Sequence, residues 1–362
     1  MKKAIPYEST RALLLRIFSA YGFSSEQSSV ITDALLAADL AGIESHGIQR
    51  MIRYDNAISC GMVDVNAIPE TIYETPISAV IDAKRAMGQI VSVTAMQTAI
   101  SKAGTYGVGM VTVRNSNHFG IAGYYARMAS AEGLIGVAMT NSEAIMVPTN
   151  SRRAMLGTNP IALAAPADPT DFCFDAATTV VTRGKLEVYN KAEEQTPDGW
   201  TIDARGRGCC DPATVIANIT ARAGGGILPL GGASEVTGGH KGYGYGLICE
   251  IFTAVLSGGP PSYLSYKEQN VADTSHYFMA IDPAVFDSPE RIRARLSALL
   301  DDLRKATPAE DGMRIYVHGE KEVEFAETVL KNGIPVNQKT VDELCEIAKR
   351  LNIPFQQISQ II

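Results

Sequence analysis

From about residue 70 to residue 180 short β-branched runs alternate with helices made of small residues, and this alternation constrains the fold more than any other feature of the chain. TIYET and SAVIDA read as a strand pair, GQIVSVTAMQTAISKAG as a helix and VGMVTVR as a strand. GIAGYYARMASAEG reads as a helix, LIGVAMT as a strand, and IALAAPA and FCFDAAT as further strands. Strands and helices in alternation cover both faces of a sheet, which predicts an α/β layer. SHYFMAID adds a strand, after a helix over KGYGYGLICEIFTAVLSGG.

The two ends have a different texture. TRALLLRIFSAYG carries apolar residues at helical spacing and stops at Gly22. SSEQSSVITDALLAADLAG opens with Ser24 and Gln27 at capping-box spacing and closes at Gly42. A third helix is expected from Ser45 to Gly61, and VDELCEIAKRLNI predicts a last one with Thr340 and Glu343 as its capping box. The helical ends are expected to pack together. That divides the chain into a terminal helical unit (1–70 with 321–362) and an α/β unit that binds cofactor and substrate (71–320). Residues 186–240, rich in Gly and polar residues, read as long loops.

With 362 residues and 46% hydrophobic content the chain can bury a sizeable core. A net charge of −7 without a basic run argues against a nucleic-acid surface. No stretch approaches the roughly 18 apolar residues of a membrane span, and no signal peptide is read. The six cysteines show no CxxC pair and no metal spacing, so reduced thiols, a cytoplasmic location and no bound metal are expected.

Chemistry-bearing residues fall in a few short stretches. In ESHGIQRMIRY a helix starting at Ser45 would set His46, Arg50 and Tyr54 four residues apart on one face. Ile48, Met51, Ile52 and Ile58 would lie opposite. Arg50 suits a carboxylate because its planar fork donates two parallel hydrogen bonds, while from this stretch alone a plain solvated helix face is the simpler reading. His118 in NSNHFG follows a strand. It is either a satisfied loop histidine or a proton donor at the rim of a sheet. GYGYG at 242–246 is rejected as a dinucleotide fingerprint because no strand precedes it. Lys241, beside a helix start, can meet an anion. Asp175 in FDAATT can accept from a ribose or cap a turn, and GTNP at 157–160 reads as turn chemistry.

Taken in order, SHGIQR, NSNHFG, GTNPIALAAPA, FDAATT, GGHKGYG, SHYFMAID and GIPV resemble the type-2 malate/L-lactate dehydrogenase family, over about residues 8–350. That family also holds ureidoglycolate, sulfolactate and cyclic-imine enzymes. The resemblance implies a three-layer α/β fold around a mixed, roughly seven-stranded sheet that is not a Rossmann fold, a homodimer, and NAD or NADP as cofactor. It implies hydride transfer between a 2-hydroxy acid of malate or lactate type and its 2-oxo acid. By motif match His118 is the proton donor and acceptor. Arg50 holds the substrate carboxylate, with Ser45, His46 and Tyr54 in the same pocket. By position Ser142, Asp175, Ala176, Ala177, Lys241, Gly319 and Glu320 contact the cofactor. Arg183 and Lys185 are candidates for a 2′-phosphate. The competing readings are a metal-dependent lyase or hydrolase and a non-catalytic nucleotide-binding relative.

Overall fold

The computed structural model describes residues 2–268 and 270–354. In chain order β1 (Lys2–Ile5), α1 (Tyr7–Ala20), α2 (Ser25–Leu40) and α3 (Met51–Ser59) lead to β2 (Glu70–Glu74) and β3 (Ser78–Asp82). Then come α4 (Gly88–Tyr106), β4 (Val108–Ser116), α5 (Ala122–Ala131), β5 (Ile135–Thr140), β6 (Ile161–Ala165) and β7 (Phe172–Ala176). A small lobe follows, of α6 (Arg183–Lys191), β8 (Thr201–Ile202), α7 (Pro212–Ala221) and β9 (Gly226–Ile227). The chain closes with α8 (Gly239–Glu250), β10 (Thr274–Ile281), α9 (Pro289–Arg304), α10 (Glu320–Asn332), β11 (Ile334–Asn337) and α11 (Gln338–Arg350).

Seven strands form one mixed sheet in the order β2-β3-β4-β10-β5-β6-β7. Only β3 and β4 run parallel, joined through α4, and every other neighbouring pair is antiparallel. Side-chain alternation along β10 explains the layers. Phe278 and Ala280 point into a core with Val111, Val113 and the alanine-rich faces of α4 and α5. Tyr277 and Met279 point the other way, against Cys249 and Phe252 at the end of α8. A sheet with apolar residues on both faces is stable only when both are covered, and here each face has its helix layer.

The ends of the chain are tied together. β1 pairs with β11 in antiparallel register, Ile5 against Ile334, and α1, α2, α3, α10 and α11 share one apolar core. Residues 355–362, part of the expected terminal unit, lie outside the described residues. Ser24 caps α2 with Gln27 in a full capping box. At α11 the expected box does not form. Asn337 is the cap, its side chain accepting from the Thr340 N–H, because the helix starts at once where β11 ends.

Two further expectations are corrected. Residues 186–240 are not simply loops: Asp211 caps α7 with Pro212 in its first turn, and Leu186, Val215, Ile219 and Ile227 form a core of their own. The helix expected from Ser45 is broken. Glu44–His46 and Ile48–Arg50 are single 3₁₀ turns separated by an extended Gly47, and α3 proper begins at Met51. Consequently His46, Arg50 and Tyr54 do not share a helix face.

Candidate active site

The site is assembled where β4, β5 and β10 meet the 44–50 segment and the start of α6. The β4–α5 loop is anchored by its own backbone. Asn115 takes a left-handed conformation, φ +53°. The side-chain amide of buried Asn117 lies 3.1 Å from the carbonyls of both Arg85 and Ala86. Gly88, at the start of α4, leaves no room for a side chain: a Cβ there would lie 2.3 Å from the Asn117 carbonyl oxygen.

These constraints aim His118, which is half-buried, into a cavity of about 110 Å³. Its Nδ1 lies 2.8 Å from the Tyr54 hydroxyl and accepts from the Gly120 N–H at 3.3 Å. Gln89 donates to the Tyr54 oxygen at 2.9 Å. Because a backbone N–H can only donate, Nδ1 holds the lone pair in this arrangement, and the neutral ring carries its proton on Nε2. Burial pushes the His118 pKa well below its ordinary value, and the charges of Arg53 and Arg50 push the same way.

His46 stacks on His118 with ring centroids 5.5 Å apart. Burial, then Arg50 and Arg53, lower its pKa to about 3, so it is neutral at physiological pH. Ser45 Oγ is 2.9 Å from His46 Nδ1, and Arg50 Nε donates to the Ser45 carbonyl. Arg50 otherwise faces the cavity with no carboxylate within ion-pair distance among the described residues. Asp39 supports the segment from behind. Its carboxylate accepts from the Ile48 N–H at 2.9 Å and occupies the place a Gly47 side chain would need. Burial raises the Asp39 pKa to about 8.

A second layer sits behind His118. Phe119 stacks between His276, centroids 4.6 Å apart, and Tyr125 at 4.9 Å. Fully buried His276 is held by Thr140 Oγ1 and Ser116 Oγ, each at 2.8 Å.

Of the residues singled out from sequence, His118, His46, Arg50, Ser142 and Arg183 line the cavity. Tyr54, expected against substrate, is 2% exposed and lies behind the His118 ring, because α3 turns it inward. Ser45 touches His46 rather than the cavity. Ser142 Oγ accepts from the Thr158 N–H at 3.1 Å and ties two cavity walls together. Asp175, Ala176, Ala177, Lys241, Gly319 and Glu320 are not in the cavity wall. Asp175 accepts from the Gly123 N–H at 2.7 Å at the start of α5, and burial raises its pKa to about 6. Ala176 ends β7 opposite Ile161, with Ala177 next in the chain. Gly319 caps α10 with φ +104°, and Glu320 pairs with Arg304 at 2.6 Å. Lys241 is exposed on the first turn of α8. Arg183 lines the cavity but is engaged by Glu143 and Glu187, and Lys185 lies over the Tyr189 ring.

Sequence reasoning passed over Asp39, Gln89, Arg53 and His276. Only Arg53, one turn beyond Arg50, carried a local signal.

The donor set fits a nicotinamide. Phe119, Ile145 and Pro160 offer flat apolar surface, Thr140, Ser142 and Thr158 offer hydroxyls, and the N-terminal residues of α6 line the same space. Among the described residues no group of three or more His, Cys, Asp or Glu could hold a metal ion, and no helix is long and apolar enough to cross a membrane.

A family model described as malate/L-lactate dehydrogenase matches residues 5–345. Malate dehydrogenase of Pyrococcus abyssi is 42% identical over 350 residues, covering 96% of this chain and 95% of that protein. L-sulfolactate dehydrogenase of Methanocaldococcus jannaschii is 34% identical, covering 96% and 97%. The crystal structure of malate dehydrogenase from Entamoeba histolytica superimposes with a TM-score of 0.94 at 32% identity, covering 98% and 99%.

Proposed function

The chain belongs to the malate/L-lactate dehydrogenase family, and from that premise we propose that it interconverts a 2-hydroxy acid and its 2-oxo acid with NAD or NADP as partner. The observation that carries this reading is the pairing of a half-buried His118, its Nε2 proton free, with an Arg50 guanidinium that has no carboxylate partner among the described residues. A guanidinium drawn out of water without a counter-charge is costly, and a substrate carboxylate removes that cost.

A nicotinamide held in this cavity would supply or take up the hydride. The residues of this chain do the rest. Arg50 clamps the 2-carboxylate and fixes the face that the carbonyl carbon presents. His118 delivers a proton from Nε2 to the oxygen that becomes the hydroxyl, and takes it back in oxidation. The reductive direction needs the imidazolium, whose Nδ1 proton then points at the Tyr54 oxygen. The Tyr54 hydroxyl serves both states, donating to the neutral ring and accepting from the charged one. An anionic substrate also offsets the positive charge of Arg50 and Arg53 that disfavours the imidazolium in the free enzyme.

Ser142 is assigned to the nicotinamide end of the cofactor, and Asp175, Ala176, Ala177, Lys241, Gly319 and Glu320 to the remainder. The protein is assigned to the cytoplasm, in keeping with six free cysteines. It is also assigned a homodimeric state. Tyr245, Ile248, Ile251 and Val255 expose an apolar strip along α8 and the turn after it, of the kind an interface covers.

The test is a cofactor-oxidation screen, with NADH and NADPH each offered against about a dozen 2-oxo acids and cyclic imines. Absorbance loss with at least one 2-oxo acid, surviving exhaustive chelation, is expected. A flat trace across the panel overturns the reading.

A further inference from the structure

Arg53 lines the cavity wall without an ion pair to any described residue, whereas the other charged residues there whose contact with substrate the proposed reaction leaves open, Glu143 and Arg183, are paired with each other. Arg53 stands three residues beyond Arg50, in the first turn of α3, and lines two spaces at once: the cavity of His118 and an adjoining crevice of about 370 Å³ between α6 and α11. It is solvent-exposed and has no hydrogen bond or ion pair to any described residue.

The acids around it are already committed. Glu143 and Glu187 both hold Arg183, at 3.3 and 3.2 Å, and Glu343 faces Lys339 at 3.8 Å. Like charges one helical turn apart repel, and Arg53 indeed pushes the Arg50 pKa down, second only to burial. Two neighbouring guanidinium groups, neither neutralised by the protein, make a site for two negative charges on one small molecule.

We propose that Arg53 holds the second acidic group of a doubly charged 2-oxo or 2-hydroxy acid, while Arg50 holds the 2-carboxylate. This assignment rests on the dehydrogenase reading and narrows it. The substrate class is a short 2-oxo acid whose far end carries a carboxylate or a sulfonate, rather than an alkyl 2-oxo acid. Lys191 lines the crevice but not the His118 cavity, so it lies beyond the reach assigned to Arg53. An acid group held at Arg53 also keeps the far end of the substrate out of the space beside His118, which fixes the carbonyl oxygen near Nε2.

The test uses the full-length protein and the variants Arg53→Gln and Arg53→Lys. Steady-state rates are measured with oxaloacetate, 3-sulfopyruvate, pyruvate and 2-oxobutyrate. Arg53→Gln removes a charge that acts on His118 with every substrate, so the readout is a ratio: kcat/KM for the two doubly charged acids is expected to fall at least tenfold relative to the two singly charged acids, chiefly through KM. Arg53→Lys should recover most of the loss. A sulfonate effect without a carboxylate effect, or the reverse, identifies which group the site takes. Equal changes across all four acids, or none, overturn the proposal. Calorimetric binding of L-malate and L-lactate in the presence of the oxidised dinucleotide gives a readout free of turnover. If the wild type reduces no 2-oxo acid yet binds malate in an Arg53-dependent way, the dehydrogenase reading fails and the Arg53 assignment stands. Malate binding unaffected by Arg53→Gln removes the assignment whatever the rates.

Discussion

The 115–121 loop and the 44–50 segment bring His118 and Arg50 to one cavity, yet they are held by different physics. The first is fixed by main-chain geometry: a left-handed Asn115, an Asn117 amide reaching buried carbonyls, and a Gly88 contact that admits no side chain. The second consists of two isolated 3₁₀ turns, anchored by the buried Asp39 carboxyl, which accepts from the Ile48 N–H, and by the Ile48 side chain in the core of the helical ends. In the proposed reaction His118 is a proton donor that must stay in register with the sheet, and several main-chain constraints hold its loop. In the same proposal Arg50 is a carboxylate clamp, carried on a segment held by one side-chain acceptor and one buried apolar anchor. The difference teaches that one half of the proposed site is set by main-chain geometry and the other by side-chain anchors.

The largest expected effect comes from removing the group that the 115–121 loop carries. His118→Ala should lower kcat by at least about a hundredfold, the usual size of an acid–base contribution, with little change in KM. Steady-state kinetics with the best 2-oxo acid checks this, and a near-wild-type kcat removes His118 from the reaction.

A smaller effect is expected from disturbing the loop without touching the ring. Gly88→Ala sets a methyl group against the Asn117 and His118 carbonyl oxygens, at 2.3 and 2.5 Å before any shift. The backbone has to move, at a cost of about 1–3 kcal/mol. Urea unfolding should show that loss together with a reduced kcat. Unchanged stability and rate would mean that the loop is softer than its geometry indicates.

The smallest effect concerns the other half. The folded-state pKa of Asp39, about 8, lies above its value in the unfolded chain. Its contribution to stability is therefore complete at acid pH and lost as pH rises through about 8. Asp39→Asn keeps an oxygen for the Ile48 N–H and cannot ionise. The variant should match the wild type only near pH 4, below which the contribution is complete, and lose less stability between pH 4 and pH 8. Parallel stability curves for the two proteins over that range would show that Asp39 does not titrate there.

Much of the architecture was legible because it is local. Strand and helix alternation from β2 to β7, the Ser24 box and the helical ends all follow from neighbouring residues. The place of β10 was not legible. It lies between β4 and β5, more than 130 residues before it in the chain, and no local pattern encodes that pairing. The helix expected from Ser45 failed at Gly47, where the buried Asp39 carboxyl takes the space and the extended backbone hands it the Ile48 N–H. The same non-locality limited the site. His118 could be picked out from its loop, but the Tyr54 hydroxyl that answers its Nδ1 is 64 residues away and Gln89 arrives from α4. Arg53 looked like an ordinary helix-surface charge because the absence of an acid beside it shows only in three dimensions.

The most direct measurement is a crystal structure of the complex with oxidised dinucleotide and a non-reactive 2-oxo acid analogue such as oxamate. The account predicts His118 Nε2 within about 3 Å of the analogue's carbonyl oxygen and Arg50 bridging its carboxylate with two hydrogen bonds. An analogue bound elsewhere, or one whose carbonyl meets a group other than His118, would contradict it.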